Sequence, residues 1–222
     1  MRIRRSILLL WSVILASTTF AYGTTTQWTQ YAYGAARTSY NPSETTLTAG
    51  NVSGLRLKWY AKLDSGALAQ PLVAHSVIIH GVSKDVLYAA TYYRLMAIDT
   101  QASDGGSSLS TIKVMWNDSF PGTYTSCLGT ALHWGTWATP YIDRQTNRLY
   151  LVDGSRTVRA VDISTGASIP GWNLQLDPDP NNGVDGALSL NPTNHTLYAA
   201  KAIRCGLEQG SSPPVRGAVY AI

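Results

Sequence analysis

Short apolar runs alternate with polar, glycine-containing turns along the chain. From Thr139 to Trp172 this pattern predicts four short strands. Pro140 to Asp143 and Leu149 to Val152 are runs rich in branched or aromatic residues, bounded by Asp, Asn and Gly. Thr157 to Asp162 follows across Asp153-Gly154, a two-residue link suited to the positive φ angles of a tight hairpin. In the turn from Asp162 to Gly166 the carboxylate can accept nearby backbone N–H groups, and Gly166 can turn left-handed without a Cβ clash. A fourth strand begins near Trp172.

The unit recurs on both sides. Leu87-Tyr88-Ala89-Ala90, Leu149-Tyr150-Leu151-Val152 and Leu197-Tyr198-Ala199-Ala200 hold the second-strand place. Leu95 to Asp99, Val158 to Asp162 and Val219 to Ile222 hold the third, and Trp59, Trp116 and Trp172 mark the fourth. An interval of roughly 50 to 65 residues suits a propeller blade and is too long for a leucine-rich or ankyrin repeat. The expected fold is all-β, a partial β-propeller of four-stranded antiparallel blades, about three blades of a larger ring.

Ala160, Asp162, Thr165, Gly166 and Trp172 form an Ala-x-Asp-x-x-Thr-Gly turn followed by a Trp. This resembles the blades of the pyrroloquinoline-quinone-like (quinoprotein alcohol dehydrogenase-like) β-propeller repeat family. Trp28, Gly34, Arg37, Asn41, Leu47, Asn51-Val52, Leu55 and Trp59 are similar to that family's N-terminal pattern. Trp137 to Asp143 is similar to the first-strand sequence of its quinoprotein members. The resemblance covers nearly everything from Trp28 onward and speaks for the fold, since many such propellers bind no quinone.

Met1 to Ala21 has the layout of a secretory signal: Arg2, Arg4 and Arg5, the apolar run Ile7 to Leu15, then small residues. The expectation is cleavage near Ala21 and export to the periplasm or exterior, with no membrane span left. Residues 22–54 are polar, lack helical periodicity and are expected to wrap over the surface as an extended lead-in. Residues 55–222 form the incomplete propeller: an orphan outer strand at 55–63, then blades at about 68–116, 137–176 and 186–222. Asn117 to Gly135 reads as a long loop. The last unit stops one residue short of the Asp found at Asp99 and Asp162, which predicts an N-terminal piece of a longer protein.

The formal charge is +4, but without Arg2, Arg4 and Arg5 there are 14 basic against 13 acidic residues. Nothing in that balance argues for nucleic acid or an anionic membrane as partner.

Gln70, Trp137 and Thr139 begin first strands, and propellers line their channel with first strands. A planar cofactor could stack on Trp137, with Thr139 or Gln70 donating hydrogen bonds; the competing reading packs Trp137 between blades. Cys127 and Cys205 are the only thiols, outside predicted strands and at equivalent places in successive repeats, so export would permit a disulfide. Asp177, Asp179, Asn181, Gly183 and Asp185 set oxygen atoms at alternate positions as a calcium loop does, but Pro178, Pro180, Asn182 and Leu188 depart from that motif. A solvated Asx-Pro turn is expected there. His75, His80, His133 and His195 show no metal spacing.

The wealth of motif residues that build the fold, beside no catalytic cluster, leads to the expectation of an exported binding or scaffold module truncated at its C-terminus. Its partner would be a protein or a small-molecule ligand. The alternative implied by the resemblance is the N-terminal part of a quinoprotein alcohol dehydrogenase using pyrroloquinoline quinone and calcium. A carbohydrate-binding propeller is a third reading, for which only the Tyr and Trp content speaks.

Overall fold

The computed structural model describes residues 27–57, 59–101, 113–120, 123–127, 130–179, 182–203 and 217–222. Among them the regular elements are strands, apart from one 3-10 turn at Val52–Gly54. No helix of the described residues is long and apolar enough to cross a membrane.

Three antiparallel sheets carry the repeat. The first holds β1 (Leu72–Ile79), β2 (Val82–Ala90), β3 (Arg94–Asp99) and β4 (Val114–Ser119) in chain order. A hairpin of β5 (Thr123–Cys127) and β6 (Thr130–Trp134) follows. The second sheet holds β7 (Tyr141–Asp143), β8 (Arg148–Val152), β9 (Thr157–Asp162) and β10 (Ser168–Gln175), and the third β11 (Asn182–Asn191), β12 (Thr196–Ile203) and β13 (Ala218–Ala221). Each repeat tyrosine takes the same register: Tyr88 lies between Leu72 and Ala97, Tyr150 between Tyr141 and Ala160, Tyr198 between Ser189 and Ala221. The sheets therefore repeat one blade pattern, the third through three strands among the described residues.

The second sheet is packed on both faces. Ile142, Leu149, Leu151, Val161 and Ile163 face a core shared with Leu72, Val86, Tyr88 and Leu95 of the first sheet. Tyr150, Val152, Val158 and Ala160 face another shared with Leu188, Leu190 and Leu197 of the third. Burial on both faces explains why Leu149 to Val152 is a continuous apolar run instead of an alternation.

Turn chemistry joins these layers. Asp162 Oδ1 accepts the Ser164 and Thr165 N–H groups, each at 2.9 Å, and Gly166 closes the turn at φ 75°. The Ile163 carbonyl in that turn receives two bonds from the first sheet, from Tyr88 Oη at 2.8 Å and from Trp116 Nε1 at 3.1 Å.

Several expectations are corrected. The β8–β9 link is a longer turn in which Arg156, at φ 63°, takes the left-handed conformation assigned to Asp153-Gly154. Its geometry comes from the Asp153 carboxylate, which accepts the Ser155 and Thr157 N–H groups at 2.8 and 3.0 Å. Residues 117–135 are not a loop: β4 runs to Ser119 and the β5–β6 hairpin fills much of the rest, its Thr, Tyr and Ser being β-compatible without an apolar run. Cys127 ends β5, contrary to its placement outside strands; Cys205 lies outside the described residues, and with it the disulfide. The Met1 to Ala21 leader also lies outside them.

The described part of 55–63 forms no strand. Trp59, Ala61 and Leu63 lie instead against Ala89, Met96 and Ile98, on the face of the first sheet turned away from the second. A segment without a free strand edge beside it gains most by covering exposed apolar surface. An apolar pocket of about 230 Å³ is left between them.

Candidate functional site

Register makes Gln70, Thr139 and Ala187 equivalent, each two residues ahead of the first-strand position that faces the repeat tyrosine. The structure brings them together at a hub. The Gln70 backbone N–H donates to Thr139 Oγ1 at 3.1 Å. The Thr139 N–H donates to the Gly186 carbonyl at 2.9 Å, and the Leu188 N–H to the Thr139 carbonyl at 3.0 Å. A parallel bridge joins Thr139 to Ala187. First strands thus converge as the inner strands of a propeller do.

The lead-in runs over the inner strands of the sheets. Trp28 and Val73 exchange backbone bonds of 2.8 and 2.9 Å, and the Ile142 N–H donates to the Thr29 carbonyl at 2.8 Å. The Ala32 N–H donates to Gln70 Oε1 at 3.3 Å, and Arg37 Nη2 to the Leu188 carbonyl at 3.4 Å. One segment therefore crosses the inner strands of all three sheets. Free inner edges expose backbone donors and acceptors that need partners, and the lead-in supplies some of them. Its course is bent by Ala32, Tyr33, Arg37 and Ser39, at φ 54°, 77°, 50° and 54°.

Trp137 is half-buried beside the hub, its ring 6.3 Å from that of Tyr92 at an interplanar angle of 40°. Tyr92 belongs to the β2–β3 turn, where its N–H donates to the Gly66 carbonyl at 3.1 Å. It is seated directly on Gly135, at which a Cβ would stand 2.3 Å from Tyr92 Cα. Thr136, fully buried, has no hydrogen-bond partner for Oγ1 among the described residues. Trp137 can thus offer a flat aromatic platform backed by Tyr92. Thr139 is buried, with its hydroxyl accepting from the Gln70 backbone, and the Gln70 carboxamide oxygen accepts from the lead-in.

A second polar cluster ties the second sheet to the third. Asp177 is buried, not solvated, and its carboxylate meets Lys201 Nζ, Asn182 Nδ2 at 3.1 Å and the Asp179 N–H at 2.9 Å. Burial acts to raise this carboxyl, but the bonds from Lys201, the Asp179 N–H and Asn182, with the Lys201 charge, hold it below the usual range. Lys201 is raised, first by its bond to Asp177 against the opposing effect of burial. Beside it the Arg156 Nε donates to the Asp177 carbonyl at 2.9 Å. Asn182 to Asp185, read as loop, begin β11. Among the described residues no three His, Cys, Asp or Glu side chains gather to hold a metal.

Tyr92, Gly135 and Lys201 escaped the sequence reading. Tyr92 and Gly135 carry no local signal, because their pairing joins the turn of one sheet to the lead of the next. Asp185 stands at the register position of Trp137, and aligning the three first strands would have singled it out.

No family model matches the chain, and no curated protein matches it. Among solved structures the chain is similar to a europium-containing methanol dehydrogenase, with a TM-score of 0.58 and 18% identity over 88% of this chain and 29% of that one. The likeness is one of fold, a quinoprotein-type β-propeller. The chain spans less than a third of the length of that structure.

Proposed function

We propose that the chain belongs to an exported propeller that binds a ligand or partner through its lead-in segment and loops and performs no chemistry of its own. The observation that carries this reading is the bond from the Gln70 N–H to Thr139 Oγ1. Polar groups at the inner ends of the first strands hold sheet to sheet, and the Asp177 carboxylate is held by Lys201. These are building roles. Full-length protein supplied with pyrroloquinoline quinone and Ca²⁺ should show no alcohol-dependent dye reduction. Such activity, lost on chelation, would overturn the reading. Export is part of the proposal, and N-terminal sequencing of the secreted product should begin near Tyr22.

Trp137 favours a second reading, that of the N-terminal part of a quinone- and calcium-dependent alcohol dehydrogenase. Its half-buried ring beside Tyr92 suits one face of a planar cofactor. When bound, the quinone would supply the electron acceptor. The chain's own residues would place it: Trp137 beneath the ring, Tyr92 and Gly135 holding Trp137 at a fixed tilt. Quinone binding that quenches tryptophan fluorescence, and that Trp137→Ala abolishes, would support this reading; unchanged fluorescence in the presence of quinone would dispose of it.

A further inference from the structure

Where the lead-in crosses β1, a cleft of about 590 Å³ opens between Trp28, Ser39, Tyr40, Asn41, Glu44 and His75. Its volume falls within the range of small-molecule sites, roughly 300 to 1,000 Å³. With Val73 completing the lining, the walls hold two aromatic rings, one carboxylate, an amide, the Ser39 and Tyr40 hydroxyls, an imidazole and an aliphatic side chain, with no Lys or Arg among them. Such walls combine aromatic surface with mixed donors and acceptors, and Glu44 is the one charged group among the lining residues.

Each part is held by the fold. Trp28 is pinned by its two backbone bonds to Val73 and by an edge contact with Tyr33, ring centroids 5.3 Å apart. Glu44 Oε1 accepts the Thr46 and Leu47 N–H groups at 2.6 and 2.8 Å, which fixes the carboxylate and keeps it ionised. His75 Nδ1 lies 3.0 Å from Asp85 Oδ1, which sets the imidazole beside a carboxylate. Tyr40 is 65% exposed, so its ring is available at the rim. It follows Ser39, whose left-handed backbone turns the chain there.

We propose that this cleft binds a neutral saccharide, its apolar C–H face stacked on Trp28 and Tyr40 and its hydroxyls bonded to Glu44, His75 and Ser39. A sugar ring has one apolar face and a rim of groups that both donate and accept, and the cleft presents the complement of each. The inference gives the binding-module reading a ligand class and rests on that reading; it does not involve Trp137.

The test titrates full-length protein with maltotriose, cellotriose and chitotriose, reading tryptophan fluorescence and heat. At least one should bind saturably. Tyr40→Ala should weaken that binding about tenfold with an unchanged melting temperature, since Tyr40 is exposed, and Glu44→Gln, whose amide oxygen can still accept the Thr46 and Leu47 N–H groups, should also weaken it. No saturable binding of any of the three, or binding indifferent to both variants, overturns the proposal. So does tighter binding of tetramethylammonium than of any sugar, which would make the aromatic pair and Glu44 a cation site. Dye reduction with quinone reports separately on the binding-module reading, so the two can fail independently.

Discussion

The indole of Trp116 lies over Gly166 of the next sheet, so close that a Cβ at Gly166 would stand 2.6 Å from Trp116 Cε3. The same turn positions the Ile163 carbonyl that Trp116 Nε1 reaches at 3.1 Å. Gly166→Ala must both relieve that contact and force alanine to φ 75°. Overpacking and left-handed strain each cost about 1 to 3 kcal/mol. Urea denaturation should show a loss of at least about 2 kcal/mol, with a blue-shifted or red-shifted tryptophan emission as the ring is displaced.

Tyr88→Phe should cost less. It removes the bond from Tyr88 Oη to the Ile163 carbonyl but leaves the one from Trp116, so the acceptor stays satisfied. A loss of about 1 kcal/mol is expected in the same denaturation experiment. Burial pushes the Tyr88 phenol above its ordinary pKa, so in a spectrophotometric titration it should ionise after the exposed tyrosines.

The Asp177–Lys201 pair predicts a pH dependence with two limbs. The carboxyl is depressed in the folded state, so its contribution is present above the unfolded pKa of about 3.9 and lost as pH falls through the folded value. The ammonium is raised, so its share is present below about 10.4 and lost as pH rises through its folded value. Lys201→Met should cost about 3 kcal/mol at pH 7 by leaving a buried carboxylate, and should remove the acid limb. Adding Asp177→Asn should recover much of that loss; urea denaturation midpoints measured from pH 2 to 12 provide the check.

Gly135→Ala places a Cβ on Tyr92 and should displace the tyrosine together with Trp137. The expected cost is about 3 kcal/mol, accompanied by a changed near-ultraviolet dichroism.

Gln70→Leu removes the acceptor for the Ala32 N–H and loosens the lead-in from the hub. Stability should fall by about 1 kcal/mol, while hydrogen exchange at Ala32 and cleavage by trypsin after Arg37 should both accelerate.

The repeat was legible because its signals are local. Tyr88, Tyr150 and Tyr198 take identical register, and Asp162 caps the turn read from Asp-x-x-Thr-Gly, since short apolar runs and turn chemistry act within a few residues. Gln70, Trp137 and Thr139, read as starts of first strands, instead precede strands that begin at Leu72 and Tyr141, and the bond between Gln70 and Thr139 carried no local signal. The left-handed residue of the β8–β9 turn was missed because Asp153 supplies enough bonds to hold Arg156 there in place of a glycine.

By itself, then, the order of residues determined three similar β units and the Asp162 turn. Only the tertiary structure decided where the remaining segments go: the lead-in across the inner strands, Trp59 onto the face of the first sheet turned away from the second in spite of the alternation around it, Tyr92 beside Trp137. The reason is physical. Apolar runs and turn residues specify a hairpin locally, whereas a segment without a hairpin partner settles on whatever edge or apolar face the assembled sheets leave uncovered, and those edges and faces do not exist until the sheets have packed.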